Sequence, residues 1–405
     1  MRSEEEHHDI VIVGGGICGL ATALALHRKG VKSLVLERSE RLRATGAAIG
    51  IFMNGWCALD RLGVGGVLRD KSIPIPVIQE AWHHKSTVQV KSSRVEDFRC
   101  LKRTDLIQVL FDNLPAGSVR LGCQIVAVEG DSSTSFPILY VHDGSIIKAK
   151  VLIGCDGSNS IISKSLGLGA LNSLPNCVIR GLTNYPNGHD LERCFLRNLD
   201  NGYMAFGRIP IDDKLVHWFV DWPYPDRDTD ASKDPKFIME LAMQQIKDYP
   251  AEMIEMVESS NPSSLNLTRI RYRSPWHLVF GNFRRGTMTV AGDAMHMMGP
   301  FLGQGGCVAL EDAVVLARNL AEAMPMGLEG GRVGDGELKK RIEAAFENYV
   351  KERKPRVLRL AMQSMLVGML ISSPSKIKRL LSLALLVVFF GGASLSYTRY
   401  DCGPL

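Results

Sequence analysis

"DIVIVGGGICGLATALALHRKGVKSLVLER", residues 9–38, reads as a strand, a tight turn, a helix and a second strand. Residues 10–13 form a short β-branched run, as a parallel strand buried on both faces requires. Gly14, Gly16 and Gly19 then give G-x-G-x-x-G. The first glycine permits the turn, the second lets backbone approach a pyrophosphate, and the third lets helix and strand pack closely. A helix from about residue 17 to 29 presents its positive N-terminus to the phosphates. The next strand, 31–36, ends at Glu37. A carboxylate there suits the hydroxyls of an adenosine ribose and repels a 2′-phosphate. These parts fall in the order of a dinucleotide-binding unit, and FAD or NAD fits it better than NADP.

Two further segments decide between FAD and NAD. "KVLIGCDGSNSIISKSLG", residues 150–167, is a buried strand followed by Asp156 and Gly157 at the start of a helix. Asp156 either serves the ligand or simply caps that helix. "GDAMHMMGPFLGQGG", residues 292–306, sets Asp293 after a strand, then a proline-bounded loop and a long amphipathic helix from about Gly306. With no G-x-G-x-x-G and no ribose-binding acid beyond it, this is a poor second dinucleotide site. It is a good far end for one long ligand. Asp293 suits the hydroxyls of a ribityl chain. The N–H groups of Gly303, Gly305 and Gly306, at a helix N-terminus, suit negative charge on the N1–C2=O edge of an isoalloxazine. The expected cofactor is therefore FAD, with its adenine at Glu37 and its flavin at Gly303. His296 is either a satisfied core histidine or a neighbour of the flavin. Met295, Met297 and Met298 are packing.

Together the three segments resemble the flavin-dependent aromatic hydroxylases of the p-hydroxybenzoate hydroxylase type, the group A flavin monooxygenases. "RLRATGAAIGI" sets Arg43 like that family's mobile arginine beside the flavin, and "CLKRTDLIQVL" opens a helix with Arg103 like its FAD-binding arginine. "FRRGTMTVAGDAMHMMGPFLGQGG", "ALEDAVVLAR" and the terminal "YDCGPL" are similar to plant FAD-dependent monooxygenases related to salicylate hydroxylase and zeaxanthin epoxidase. The resemblance implies non-covalent FAD, with NADPH or NADH as co-substrate and with O2 and a small molecule as reactants. Reduced flavin would form a C4a-hydroperoxide that passes one oxygen atom to an aromatic or heteroaromatic ring. No side chain is marked as catalytic, because the cofactor carries the chemistry; Arg43 and Pro300 are the candidates for assisting it. Epoxidation of an isoprenoid, and a reductase or non-catalytic flavoprotein on the same fold, remain the competing readings.

The fold class implied is α/β, a Rossmann-type FAD-binding domain with an antiparallel-sheet substrate domain and a C-terminal helical segment. FAD-binding parts are expected at 1–75, 101–179 and 281–330, substrate-domain strands at 76–100 and 180–280, and C-terminal helices at 331–405. Within 180–280, "GYMAFGRIPI" and "KLVHWFVDW" read as a hairpin turning at Asp212 and Asp213. Alternation puts Val216, Trp218, Val220 and Trp222 on a core face. His217 and Phe219 fall on the other face, opposite Tyr203, Ala205 and Gly207, whose small residues would leave room for substrate. The segment 234–259 reads as amphipathic helix covering the sheet's far side.

The whole chain sets outer bounds. Its 405 residues allow two or three domains, and a net charge of +5 spread along the chain declares no nucleic-acid face. Nine cysteines without a Cys-x-x-Cys pair argue against a disulfide framework or a metal site. The polar start "MRSEEEHHDI" lacks the features of a signal peptide, so a cytoplasmic location is expected. The residues after 331 read as a long helix pair broken near Pro355. The apolar run 380–390 is too short to span a bilayer. It reads as a buried helix, with weak peripheral contact at a membrane surface as the alternative. Nothing in the sequence signals an oligomeric state.

Overall fold

Two sheets organise the chain. The structure, a computed structural model, describes all residues except 1–4, 43–46, 85–86, 201–202, 224–233, 325–333, 373–374 and 392–394. In the first sheet Glu5–Val13 is central, parallel to Leu34–Leu36 on one side and to Ile146–Gly154 on the other. Met288–Val290 extends the parallel set beyond Ile146–Gly154, and Val119–Arg120 extends it beyond Leu34–Leu36. Ile10, Val11, Ile12 and Val13 are at most 6% exposed, because Ile17–Arg28 and Gly305–Ala323 stack together against this region.

Register matters more than strand count. Val13 lies opposite Leu36 and Gly154, and Gly154 opposite Val290. All four strands therefore end at one edge, and the next residues are Gly14, Glu37, Cys155–Asp156 and Ala291–Asp293. The carboxyl edge of a parallel sheet is where open α/β folds bind ligands.

The second sheet has seven strands in the order Asn266–Tyr272, Asn172–Asn184, Leu215–Pro223, Tyr203–Pro210, Cys194–Asp200, Val77–His84, Thr87–Arg94. It is antiparallel except where Cys194–Asp200 runs parallel to Val77–His84. Asp212 makes the hairpin turn by accepting from the Lys214 and Leu215 N–H groups, both at 2.8 Å. Ile179, Phe206, Val216, Trp218 and Val220 are buried beneath Pro235–Ile246 and Ala251–Glu258. The Trp218 indole N–H donates to Ser260 Oγ at 2.7 Å.

The C-terminal part departs from the sequence reading twice. Asp335–Ser372 is one 38-residue helix that runs through Pro355. The lost N–H costs about 3 kcal/mol. Burial of Tyr349, Arg353, Val357 and Leu360 around the proline offsets it. The helix Lys376–Phe390 forms, yet it is not buried: only Ser382 and Leu386 face inward. Among the described residues no helix is long and apolar enough to cross a membrane.

Trp218→Ala should cost about 3–5 kcal/mol in chemical denaturation, from lost packing and the lost hydrogen bond to Ser260. Phe219→Ala, on the half-buried face, should cost less. Equal losses would mean that the two faces have been assigned wrongly.

Candidate flavin and substrate site

The glycine loop separates fold from ligand. Gly14 has φ +110°, and a Cβ there would lie 2.4 Å from the Cys155 carbonyl oxygen. A Cβ on Gly19 would strike the Gly14 oxygen at 1.9 Å. These two glycines are demanded by the chain itself. A Cβ on Gly16, at the N-cap of Ile17–Arg28, would meet nothing within 4 Å. That open space at a helix N-terminus fits a pyrophosphate.

Glu37 is tied to the same loop, with Oε2 accepting from Gly15 N at 2.7 Å and Oε1 from Ser39 N at 2.9 Å. Each oxygen keeps acceptor capacity for a ribose hydroxyl. Ser160, not Asp156, is the N-cap of the helix Ile161–Ser165, though Asp156 Oδ2 accepts from its first N–H, Ile161 N, at 2.7 Å. Its other oxygen is buried without a partner among the described residues, and burial raises its pKa.

Arg103 is the first residue of Arg103–Asp112 and Asp293 the first of Asp293–His296. They are close enough that the Asp293 charge raises Arg103 while burial lowers it. Both side chains are half-buried, and neither hydrogen-bonds to another described residue. A cation and an acid held unsatisfied at the sheet edge fit a ligand with both phosphates and hydroxyls. Gly303 takes the left-handed turn at φ +64° over the Phe52 ring, Gly305 opens onto empty space, and Gly306 packs against Ile49. Pro300 is exposed and starts the turn Pro300–Leu302. Arg43 lies outside the described residues.

A buried polar network, not foreseen from the sequence, anchors the 292–306 loop. Asp312 accepts from Gly292 N at 2.9 Å, His296 Nε2 at 2.5 Å and Arg353 Nε at 2.7 Å. Arg353 also reaches Glu311 at 2.6 Å, and Glu311 accepts from Arg356 at 2.9 Å and from Asn54 at 2.6 Å. Burial opposes ionisation of Asp312, but His296 and Arg353 hold it well below the usual carboxylate range. His296 is thus a fully buried histidine beneath the loop, bonded through Nε2, while its Nδ1 has no partner among the described residues. Asn54 also donates to Gln304 Oε1 at 2.8 Å, which fixes the residue before Gly305. The tail joins in: Arg356 donates to the Tyr397 carbonyl at 2.8 Å and stacks over Tyr400, 4.4 Å from the ring centroid.

Between this loop and the second sheet runs a file of rings. Phe52 and Phe98 have centroids 4.4 Å apart, Phe98 and Phe195 5.9 Å, Phe195 and Phe219 5.9 Å, and Phe219 and His217 5.8 Å. His217 and Phe219 are thereby joined to the Gly303 turn. His217 is buried, and its Nδ1 donates to the Gly181 carbonyl at 3.0 Å. Burial pushes it down to about 4. It is neutral at pH 7, with Nε2 as an acceptor. Gly207 does not leave room for a ligand, because the Phe219 ring fills the space, 2.3 Å from where its Cβ would sit. Tyr203 and Ala205 are on the expected strand, but their side chains lie outside the described residues.

Arg180 is the neighbour that the sequence reading missed. It pairs with Phe219 across the sheet, and its guanidinium donates to Thr268 Oγ1 at 3.3 Å. No described carboxylate pairs with it. Burial, with the Arg103 charge adding to it, lowers it to about 10. Its only signal in the sequence was a charge within an apolar strand.

Gly16→Val should yield folded but colourless protein, because the side chain enters the open space without touching the chain; retained flavin absorbance would remove Gly16 from the phosphate site. Asp293→Ala loses a charge-assisted hydrogen bond worth about 1.5–3 kcal/mol. FAD affinity, measured by fluorescence titration, should fall roughly ten- to a hundredfold.

Known proteins resemble this chain along most of its length. The FAD binding domain family matches residues 7–363. "Monooxygenase 1" of Arabidopsis thaliana is 46% identical, covering 99% of this chain and 100% of that protein. "3-Hydroxybenzoate 6-hydroxylase" of Klebsiella oxytoca is 27% identical over 88% of this chain and 87% of its own. Klebsiella pneumoniae HpxO, solved with FAD and uric acid, shares the fold at TM-score 0.73 and 22% identity, over 98% of this chain and 96% of that one. The chain belongs to the FAD-dependent monooxygenases, the flavoprotein family of the p-hydroxybenzoate hydroxylase group.

Proposed function

We propose that this enzyme is a single-component hydroxylase of a planar aromatic or heteroaromatic small molecule that carries a negative charge, with NADPH or NADH as electron donor. The observation that carries the reading is Arg180. It is a half-buried cation without a described acid, beside Phe219 at the end of a file of rings that starts under the Gly303 turn. A half-buried arginine with no described carboxylate beside it is a ready partner for an anionic ligand. A ring-bearing carboxylate or phenolate would supply that anion while stacking on apolar neighbours.

Bound FAD, reduced by NAD(P)H, supplies the activation of O2 and the transfer of one oxygen atom, the other leaving as water. The chain's residues would do the rest. Gly16, Arg103 and the 305–323 helix N-terminus would hold the cofactor's charges. Phe219 and Phe195 would fix the ring plane and exclude water. His217, neutral with Nδ1 occupied, would accept a proton-bearing substituent at Nε2. Arg180 would set which end of the ring approaches the flavin, and small misplacements there are expensive in rate.

A panel of aromatic acids and their neutral amides should separate the readings. Acids should stimulate NAD(P)H oxidation with 18O incorporation, and amides should not. Arg180→Met should raise KM for the acid ten- to a hundredfold and divert reduced equivalents to hydrogen peroxide, with FAD content unchanged. Equal stimulation by acids and amides would remove the charge requirement. A terpenoid giving an epoxide would replace the hydroxylase reading altogether.

A further inference from the structure

The helix Lys376–Phe390 is built the wrong way round for water. A surface helix turns its apolar stripe inward and its polar residues outward. Here Ser382, the one polar residue after Arg379, is buried with its hydroxyl unpartnered, while the apolar residues point outward. Ile377 is 80% exposed, Leu380 69%, Leu381 57%, Val387 55%, Val388 74% and Phe389 65%. Residues 377, 380, 381, 384 and 388 follow the i, i+3, i+4, i+7, i+11 spacing of a single helix face. The opposite strip, Ser382 and Leu386, is what packs against Asp335–Ser372. Ser375 caps the start and Gly391, at φ +67°, the end, so the helix is defined at both termini.

Charge says what should cover this face. Lys376 and Lys378 stand exposed in the first turn, where the helix dipole disfavours cations unless an anion lies opposite. No described acid pairs with either lysine. From 353 to 400 the sequence has eight Lys or Arg residues and no Asp or Glu, so the segment offers no acid to a second copy's lysines. At 15 residues the helix is about 22 Å long, too short to span a bilayer and long enough to lie in its surface.

We infer that Lys376–Phe390 is an in-plane membrane-surface helix that seats the enzyme on an anionic lipid bilayer, apolar face in the acyl boundary and lysines at the phosphates. Two weak signals, an apolar face and a basic cluster, combine as reversible peripheral anchoring requires. This inference is independent of the substrate reading.

The test uses the full-length holoenzyme with vesicles of phosphatidylcholine alone and with 30% phosphatidylserine, read by co-sedimentation, alongside sedimentation velocity without lipid. Binding should be strong only to the anionic vesicles and should weaken with salt. Leu380→Glu with Val388→Glu should abolish it at unchanged flavin absorbance. Lys376→Gln with Lys378→Gln should weaken it about ten- to thirtyfold. Absence of binding, or binding indifferent to both pairs of changes, would overturn the inference. So would a lipid-independent dimer that Leu380→Glu with Val388→Glu dissociates, because the face would then belong to a second copy.

Discussion

The carboxylate of Asp312 is the point on which the candidate site hangs. It sits on the inner side of the 305–323 helix and gathers Gly292 N, His296 and Arg353, drawn from a sheet end, a loop and a separate helix. Arg353 and Glu311, like Asp312, have fully buried side chains. Such ions are expensive to dehydrate, and only mutual pairing makes them tolerable; removing one partner from a buried set typically costs about 3–5 kcal/mol. The network is therefore better understood as a positional device than as a source of stability. It allows the 292–306 loop one geometry, with Asp293 and Gly305 facing outward. Because Asp312 is depressed below its unfolded value of about 4, its contribution is complete above that pH and fades only as pH falls towards the folded value.

How far the sequence could be read follows from this arrangement. Gly14, Glu37, Asp156 and Asp293 could be singled out in the sequence because each stands within three residues of the end of a parallel strand, with Gly16 and Gly19 in the turn and helix that follow the first; such strands announce themselves by short apolar runs. The network was not legible. His296, Asp312 and Arg353 lie on three elements, and Arg353 looked like one more cation in a charged helix. Arg180 was hidden for a related reason: strand alternation gives a face, but not whether a carboxylate waits on the neighbouring strand. The apolar run 380–390 was read by composition as buried. Composition cannot tell which way a helix rolls, and here Ser382 fixes the roll by pointing inward.

Among the described residues a file of aromatic rings leads from the second sheet to the Gly303 turn, and this has a mechanical consequence. Phe52 lies under the Gly303 turn, and Phe219 fills the space above Gly207. A shift of the substrate strands would press through Phe195 and Phe98 onto that turn, since close-packed rings transmit displacement instead of absorbing it.

The glycines close the argument about what in this chain belongs to the fold and what to its ligand. A motif pattern treats Gly14, Gly16 and Gly19 alike, and Gly303, Gly305 and Gly306 alike. Contact distances divide them. Gly14 and Gly19 are small because backbone atoms lie within 2.4 Å of where a Cβ would stand, Gly306 meets only the tip of the Ile49 side chain, and Gly16 and Gly305 face nothing within 4 Å. Among the described residues no steric demand explains glycine at those two positions. Both stand at helix N-termini, Gly16 following the central strand of the parallel sheet and Gly305 opening the helix that carries Asp312. A ligand with negative charge at two separated points, a pyrophosphate and the pyrimidine edge of a flavin, would fit both helix N-termini as one molecule.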